Sequence, residues 1–303
     1  MSADGPRAAA ARLAWLRALP LPASFVKALI VRREVRIAAR EGRLGHGTAI
    51  ADAYSVSEVP SVARLGTADR VLADVDQDGF LFARDPADVA LFNRRSEKLP
   101  RRRDRLSVVL RGGAVCLRKA FASHASRVSP KSILWTALGL PFYTSVAAAL
   151  RLSRVPCGGN VREIDLRTRT IYWDLVRAED LRQWLGRRTP LVHDLDLGRD
   201  PALRNLDSDS RDRREIALFT AAGGARYGAA IREAVRAMNA AGVAVLDVKL
   251  GNVLVGEITG QVYWVDLEWA QIASWPGWDA ALGFQDHELE RWFSATPLPT
   301  ARG

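Results

Sequence analysis

One stretch of the chain limits, more than any other, what it can fold into. Residues 245–270 read VLDVKLGNVLVGEITGQVYWVDLEWA. Asp247, Lys249 and Asn252 stand in a D-x-K-x-x-N pattern directly after a segment with helical periodicity. Two short apolar runs follow, separated by a turn, and the second run ends in Asp266. We predict a loop followed by a β-hairpin, and this hairpin would bring Asn252 and Asp266 together.

Residues of these types at this spacing fit the transfer of a phosphoryl group. That reaction needs positioning and charge compensation more than covalent chemistry. In this interpretation Asp247 orients or deprotonates the attacking hydroxyl, and Lys249 steadies the transferred phosphate. Asn252 and Asp266 would hold Mg²⁺, a hard cation that prefers oxygen ligands. The alternative is a polar loop in which the pattern arose by chance.

The stretch also resembles a known superfamily. NAAGVAVLDVKLGNVLV looks like the helix end, catalytic loop and following strand of protein-kinase-like enzymes. VYWVDLEWAQI is similar to their metal-binding strand, in the form found in bacterial lipopolysaccharide core kinases that phosphorylate Kdo or heptose. Upstream, AVCLRKAF resembles the strand that carries the nucleotide-binding lysine, so Lys119 is the candidate and Arg118 its rival. The resemblance covers roughly residues 106–275.

The resemblance implies a fold and a reaction. The expected fold is α+β, a bilobal protein-kinase-like fold with a short C-terminal lobe and an N-terminal helical extension. The expected activity is ATP-dependent phosphorylation of a hydroxyl on a sugar or lipopolysaccharide-core acceptor, with ATP and Mg²⁺ bound. The domain boundaries that follow are a basic helical extension over 1–50, a β-rich part over 51–176, and a helical part with the catalytic loop over 177–303.

The chain departs from the family pattern in several places. Val245 and Leu246 replace the histidine and arginine expected before the catalytic aspartate. Residues 93–110 contain no glycine where a phosphate loop is expected. The helix that should supply a glutamate partner for Lys119 offers only Thr144 or Ser145. These departures keep a catalytically silent pseudokinase scaffold open as an alternative.

The nature of the acceptor follows from the region after Asp266. Only 37 residues follow it, whereas a protein kinase needs a long segment to grip a peptide. A small-molecule or glycolipid acceptor is therefore expected, with a serine/threonine protein kinase as the alternative. Nucleic acid is not expected as a partner, because the basic run RRSEKLPRRRDR lacks interleaved aromatic residues.

The charge of the chain points to anionic partners. Lysine and arginine number 44 against 34 acidic residues, which gives a net charge of +10. Arg33, Arg36 and Arg40 share one face of a predicted helix over 24–41. That face is either solvated or in peripheral contact with an anionic membrane. Two cysteines without a CxxC motif favour a reducing compartment, so we expect a cytoplasmic protein that could bind the inner membrane face.

Other segments carry simpler predictions. The uncharged run over 133–150 is interpreted as a buried or membrane-surface helix pair, with a membrane span as the alternative. Residues 74–85 resemble a calcium loop, but a hairpin around a D-G turn is favoured. A second hairpin is predicted around Gly112 and Gly113. We further predict a loop over 194–213 and one long helix over 214–241.

Overall fold

The computed structural model is a mixed α/β structure with small antiparallel sheets. It describes residues 21–44, 50–54, 71–74, 106–121, 138–186, 188 and 208–294. Its helices are α1 (Leu21–Arg40), α2 (Leu140–Leu152), α3 (Leu181–Gly186), α4 (Ser208–Ala221), α5 (Gly228–Ala240) and α6 (Trp278–Ser294). An α+β class is thus confirmed.

A five-stranded antiparallel sheet lies in the first half of the described residues. Its strands are β1 (Val71–Asp74), β2 (Leu106–Arg111), β3 (Ala114–Ala120), β4 (Val161–Asp165) and β5 (Thr170–Asp174), in the order β1-β2-β3-β5-β4. The predicted hairpin of β2 and β3 is confirmed. Gly112 and Gly113 both have positive φ, at 55° and 76°, which glycine adopts without steric cost. Residues 75–105, with the calcium-loop candidate and the basic run, lie outside the described residues.

Smaller sheets hold the loop that carries the D-x-K-x-x-N pattern. The remaining strands are β6 (Ala178–Asp180), β7 (Val243–Ala244), β8 (Val253–Gly256), β9 (Val262–Trp264) and β10 (Gln271–Ile272). Strand β8 pairs with both β6 and β9, and β7 pairs with β10. The loop leaves β7 and enters β8, so both of its ends are fixed by hydrogen-bonded strands.

Helix α1 packs on helix α2, which lies on the apolar core. The predicted helix over 24–41 is confirmed with a start three residues earlier, and Gly42 follows its end with φ of 68°. Glu34 of α1 accepts a bond from Arg151 of α2 at 3.2 Å. Helix α2, the second part of the helix pair predicted over 133–150, is buried and begins after Gly139, while residues 133–137 lie outside the described residues. No helix in the described part of the chain combines the length and apolarity needed to cross a bilayer.

Two sequence predictions near the centre of the chain are wrong. Residues 208–213, predicted as loop, form the start of α4, while 194–207 lie outside the described residues. The single helix predicted over 214–241 is two helices, with a short 3₁₀ turn at Gly224–Tyr227 between them. Gly223 adopts φ of 82°, and a side chain on Gly224 would overlap the ring of Phe219. Tertiary packing therefore turns the chain at this glycine pair, although the helical spacing of apolar residues in the sequence continues across it.

Asp52 ties an N-terminal segment to the β8–β9 hairpin. Its buried carboxylate accepts bonds from the amide of Ile258 at 2.9 Å, from the hydroxyl of Thr259 and from the hydroxyl of Tyr263 at 2.9 Å. Burial alone would raise the pKa of Asp52, but these hydrogen bonds outweigh it and hold the pKa below its ordinary value. The carboxylate leaves no room for a Cβ at position 256, where the chain has glycine. This contact fixes the turn of the hairpin whose other end carries Asp266.

Candidate active site

The catalytic-loop candidates lie side by side between β7 and β8. The amine of Lys249 is 2.8 Å from Oδ2 of Asp247. The side-chain amide of Asn252 donates to the same Oδ2 at 2.9 Å and to the backbone carbonyl of Asp247 at 3.0 Å. Asn252 is buried, while the side chain of Asp247 is 29% exposed. The structure therefore brings these three predicted residues together, with Asp247 facing solvent.

The contacts of Asp247 are concentrated on one oxygen. Oδ2 takes both bonds, from Lys249 and from Asn252. Within the part of the chain that the structure describes, Oδ1 makes no hydrogen bond. A carboxylate held through one oxygen has the other available to a bound hydroxyl group.

Gln285 anchors the start of this loop, and sequence reasoning missed it. Its side-chain oxygen accepts from the backbone amide of Val245 at 2.7 Å, and its side-chain amide donates to Asn239 at 3.1 Å. Gln285 is fully buried, so both bonds satisfy groups that water cannot reach. Val245 therefore occupies the position of the expected histidine, while α6 supplies the polar contact. No local signal in the sequence connects two residues 40 positions apart.

Lys119 of β3 meets two acids from the segment after β9. Its amine is 2.9 Å from Oδ1 of Asp266 and 2.7 Å from Oε1 of Glu268. The lysine and glutamate side chains are about one-tenth exposed, at 9% and 11%, and that of Asp266 is 21% exposed. Burial would lower the pKa of Lys119, but the charges of Asp266 and Glu268 outweigh it and raise the pKa. The amine is thus held in its charged form.

The backbone after β9 explains how both acids reach one amine. Val253 of β8 pairs with Trp264 of β9, and the amide of Val265 donates to the carbonyl of Asn252 at 2.9 Å. This register sets Asn252 beside the residue that precedes Asp266. Asp266 itself adopts the left-handed conformation, with φ of 60° and ψ of 61°. A 3₁₀ turn over Leu267–Trp269 follows and carries Glu268. A non-glycine residue in this conformation is uncommon and is enriched at functional sites.

The two clusters lie within electrostatic reach of each other. Burial would lower the pKa of Lys249, but the charge of Asp247, its hydrogen bond with the amine and the charge of Asp266 together outweigh burial and raise the pKa. Asp266 therefore acts on Lys119 by direct contact and on Lys249 through space. The four residues predicted from the 245–270 stretch and Lys119 form one charged centre.

Glu268 is the acidic partner of Lys119 that the sequence did not supply on a helix. Thr144 and Ser145 of α2 are buried, and Ser145 lines the same cleft as Lys119. The acid that pairs with the lysine comes instead from the turn after Asp266, against which α2 packs. The pattern D-L-E contained this signal, since a 3₁₀ turn after an aspartate can present both acids to one partner. Arg118, the rival of Lys119, lies between Leu117 and Lys119, which both line the cleft, and strand alternation places Arg118 on the opposite face.

A cleft opens between the five-stranded sheet and the β8–β9 hairpin. Its walls are mostly apolar and include Leu117, Trp173 and Leu254, while Lys119 and Asp266 lie at one side. A mostly apolar pocket with a few convergent charged groups is the usual form of a small-molecule site.

The oxygen atoms available here fit a magnesium ion. The side-chain nitrogen of Asn252 donates to Asp247. Its side-chain oxygen is therefore the atom of Asn252 that would coordinate a cation. Asp266 supplies a carboxylate. Mg²⁺ takes one or two protein oxygens and completes its shell with water and phosphate, so this pair suffices. Among the described residues there is no cluster of three or more histidine, cysteine, aspartate or glutamate side chains that would hold a metal without such help.

Comparison with known proteins adds no assignment. No protein-family model matches the chain, and no curated protein is significantly similar to it.

Proposed function

We propose that the chain is an ATP-dependent phosphotransferase with a bilobal protein-kinase-like fold, acting on a hydroxyl of a sugar or lipopolysaccharide-core acceptor. The observation that carries this proposal is the meeting of Lys119 with Asp266 at 2.9 Å. Lys119 lies in the five-stranded sheet and Asp266 lies just after β9, 147 positions further along the sequence. They meet beside the Asp247, Lys249 and Asn252 cluster, at one side of an apolar cleft.

The residues divide the work of transfer among themselves. ATP would bind with its base in the apolar cleft and its phosphates toward Lys119, whose fixed positive charge compensates theirs. Lys249 would contact the transferred phosphoryl group. Asp247 would orient the acceptor hydroxyl through Oδ1. In the reaction the acceptor oxygen forms a bond to the γ-phosphorus and the bond to the bridging oxygen of ADP breaks. The hydroxyl proton passes to Asp247.

A magnesium ion, when bound, supplies further charge compensation on the phosphates. Asn252 and Asp266 would hold it. Asp266 therefore has a second partner besides Lys119. The ion pair with Lys119 holds this carboxylate toward the cleft.

Glu268 is proposed as the positioning residue for Lys119. It replaces the helix-borne glutamate expected from the family resemblance. Because Asp266 and Glu268 share one turn, the lysine is oriented by the same segment that would bind the metal. The orientation of the Lys119 side chain then does not require an acidic residue on a helix.

The silent scaffold remains the second candidate, and one observation favours it. Lys119 contacts two acids from the turn after β9, so the same cluster could serve as a buried structural link between the sheet and the hairpin. Nucleotide binding separates the two candidates. Titration of the full chain with ATP, with and without Mg²⁺, should show magnesium-dependent binding that Asp266→Ala removes. Turnover with sugar and glycolipid acceptors then tests the transfer. If wild type binds no ATP under either condition, the phosphotransferase proposal is wrong.

A further inference from the structure

The outward face of α1 combines apolar and cationic side chains. Val26, Leu29 and Ile37 are large apolar residues that are 49%, 66% and 39% exposed. Arg33, Arg36 and Arg40 are exposed as well. At the helical rotation of about 100° per residue, all six fall within an arc of roughly 100°. The predicted arginine face is thus confirmed, and it is also an apolar face.

The rest of the helix fixes this face outward. Ala28, Val31, Val35 and Ala38 form the opposite side and are almost completely buried. Arg32 donates to the carbonyl of Leu138 at 2.6 Å. The packed side of α1 is therefore occupied, and the helix cannot turn its exposed leucine inward without losing these contacts.

The charge on the exposed face has one sign. Between residues 26 and 40 the acidic residue is Glu34, and it accepts bonds from Arg151 of α2 and from Ser274, which follows β10. Three arginines on one face would repel the same face of a second copy. Nucleic acid would use the arginines but not the exposed leucine, valine and isoleucine. A surface with anionic groups above an apolar layer uses both kinds of side chain.

We propose that this face of α1 binds an anionic lipid bilayer. Val26, Leu29 and Ile37 would enter the boundary between headgroups and acyl chains, and the arginines would contact lipid phosphates. Such helices lie in the plane of the interface and do not cross the bilayer. This inference does not depend on the phosphotransferase proposal, because it uses no residue of the cleft.

Vesicle co-sedimentation of the full chain tests the inference. Wild type should bind vesicles of equal parts phosphatidylglycerol and phosphatidylcholine, and bind less as salt rises. The triple substitution Arg33→Gln, Arg36→Gln, Arg40→Gln should weaken binding by roughly 100-fold, since each basic side chain contributes about fivefold. The control is Arg154→Gln, Arg167→Gln, Arg236→Gln. These exposed arginines lie on other elements than α1, and both variants lower the net charge from +10 to +7.

A second pair of variants tests the apolar part. Leu29→Ser should weaken vesicle binding several-fold, whereas Ile258→Ser should not, although Ile258 is 60% exposed on the β8–β9 turn. Equal losses in the two arginine variants, or no loss with Leu29→Ser, would overturn the proposal. Failure of wild type to bind the anionic vesicles would do the same. If wild type instead binds RNA through these arginines, the face is a nucleic-acid surface.

Discussion

Lys119 and Glu268 form a nearly buried ion pair, with 2.7 Å between Nζ and Oε1. The lysine lies on a strand of the five-stranded sheet, and the glutamate lies two residues after Asp266, which contacts the same amine. One short turn thus supplies both acids. The pairing links the sheet to the β8–β9 hairpin across the cleft.

Glu268→Gln should weaken ATP binding by roughly tenfold, which corresponds to about 1.4 kcal/mol. Glutamine keeps the shape and a hydrogen bond but removes the charge that directs the amine. Glu163→Gln is the matched control, because it removes an acid from the Arg111 ion pair at 2.5 Å, outside the cleft lining. Isothermal titration with ATP and Mg²⁺ measures both. Equal affinities of the two variants would reject the positioning role. Absence of ATP binding by wild type would reject the phosphotransferase itself.

Lys119→Met should weaken ATP binding more than Arg118→Met does. The two residues are adjacent, but only Lys119 lies on the cleft side of β3. Removal of Lys119 also removes the cation that both Asp266 and Glu268 contact, so the melting temperature should fall at neutral pH. The reverse order of ATP affinities would move the nucleotide contact to Arg118.

Asp247→Asn should lower kcat by roughly 10² or more, the scale of general-base contributions, and leave ATP affinity nearly intact. The substitution keeps the size of the side chain and removes the charge that acts in the transition state. Asp286→Asn, on the exposed side of α6, is the control and should retain full turnover. The scaffold candidate predicts a different pattern. In that case wild type shows no turnover with any acceptor, and Asp247→Asn lowers only the melting temperature.

The sequence was most informative where chemistry and local structure coincide. The D-x-K-x-x-N pattern and the following hairpin predicted that Asn252 and Asp266 lie close, and strand register supports this. Of two glycine pairs, the sequence predicted the turn at only one. Gly112–Gly113 forms the predicted hairpin turn, whereas Gly223–Gly224 interrupts a segment that was predicted as one continuous helix. The difference is physical, because only packing against Phe219 decides that the second pair turns the chain.

Long-range pairings escaped sequence reasoning altogether. The contacts of Gln285 with the loop and of Asp52 with the β8–β9 turn join segments that have no shared pattern. Glu268 could not be assigned for another reason. The family resemblance places the acidic partner of the lysine on a helix, whereas Glu268 lies two residues after Asp266. The domain boundaries at 50 and 176 stay predictions.

Lys27 should make the stability of the fold depend on pH. Burial lowers its pKa from 10.5 to about 7, although its amine lies 4.4 Å from the ring centre of Trp275 and donates to Gln271 at 3.3 Å. Between about pH 7 and pH 10.5 the unfolded chain therefore binds more protons than the folded chain. The free energy of unfolding then rises with pH across this window, by at most about 1.4 kcal/mol per pH unit.

Lys27→Met should remove this slope, since methionine fills the same space without a charge to desolvate. Chemical denaturation at pH 7, 8 and 9 measures the free energy of unfolding of both proteins. The free energy of unfolding of wild type should rise relative to that of the variant as pH rises. Arg33→Met serves as the control, because Arg33 is an exposed cation on the same helix, and it should keep the slope of wild type. A slope that Lys27→Met leaves unchanged would show that the aromatic and amide contacts keep the amine charged up to its ordinary range.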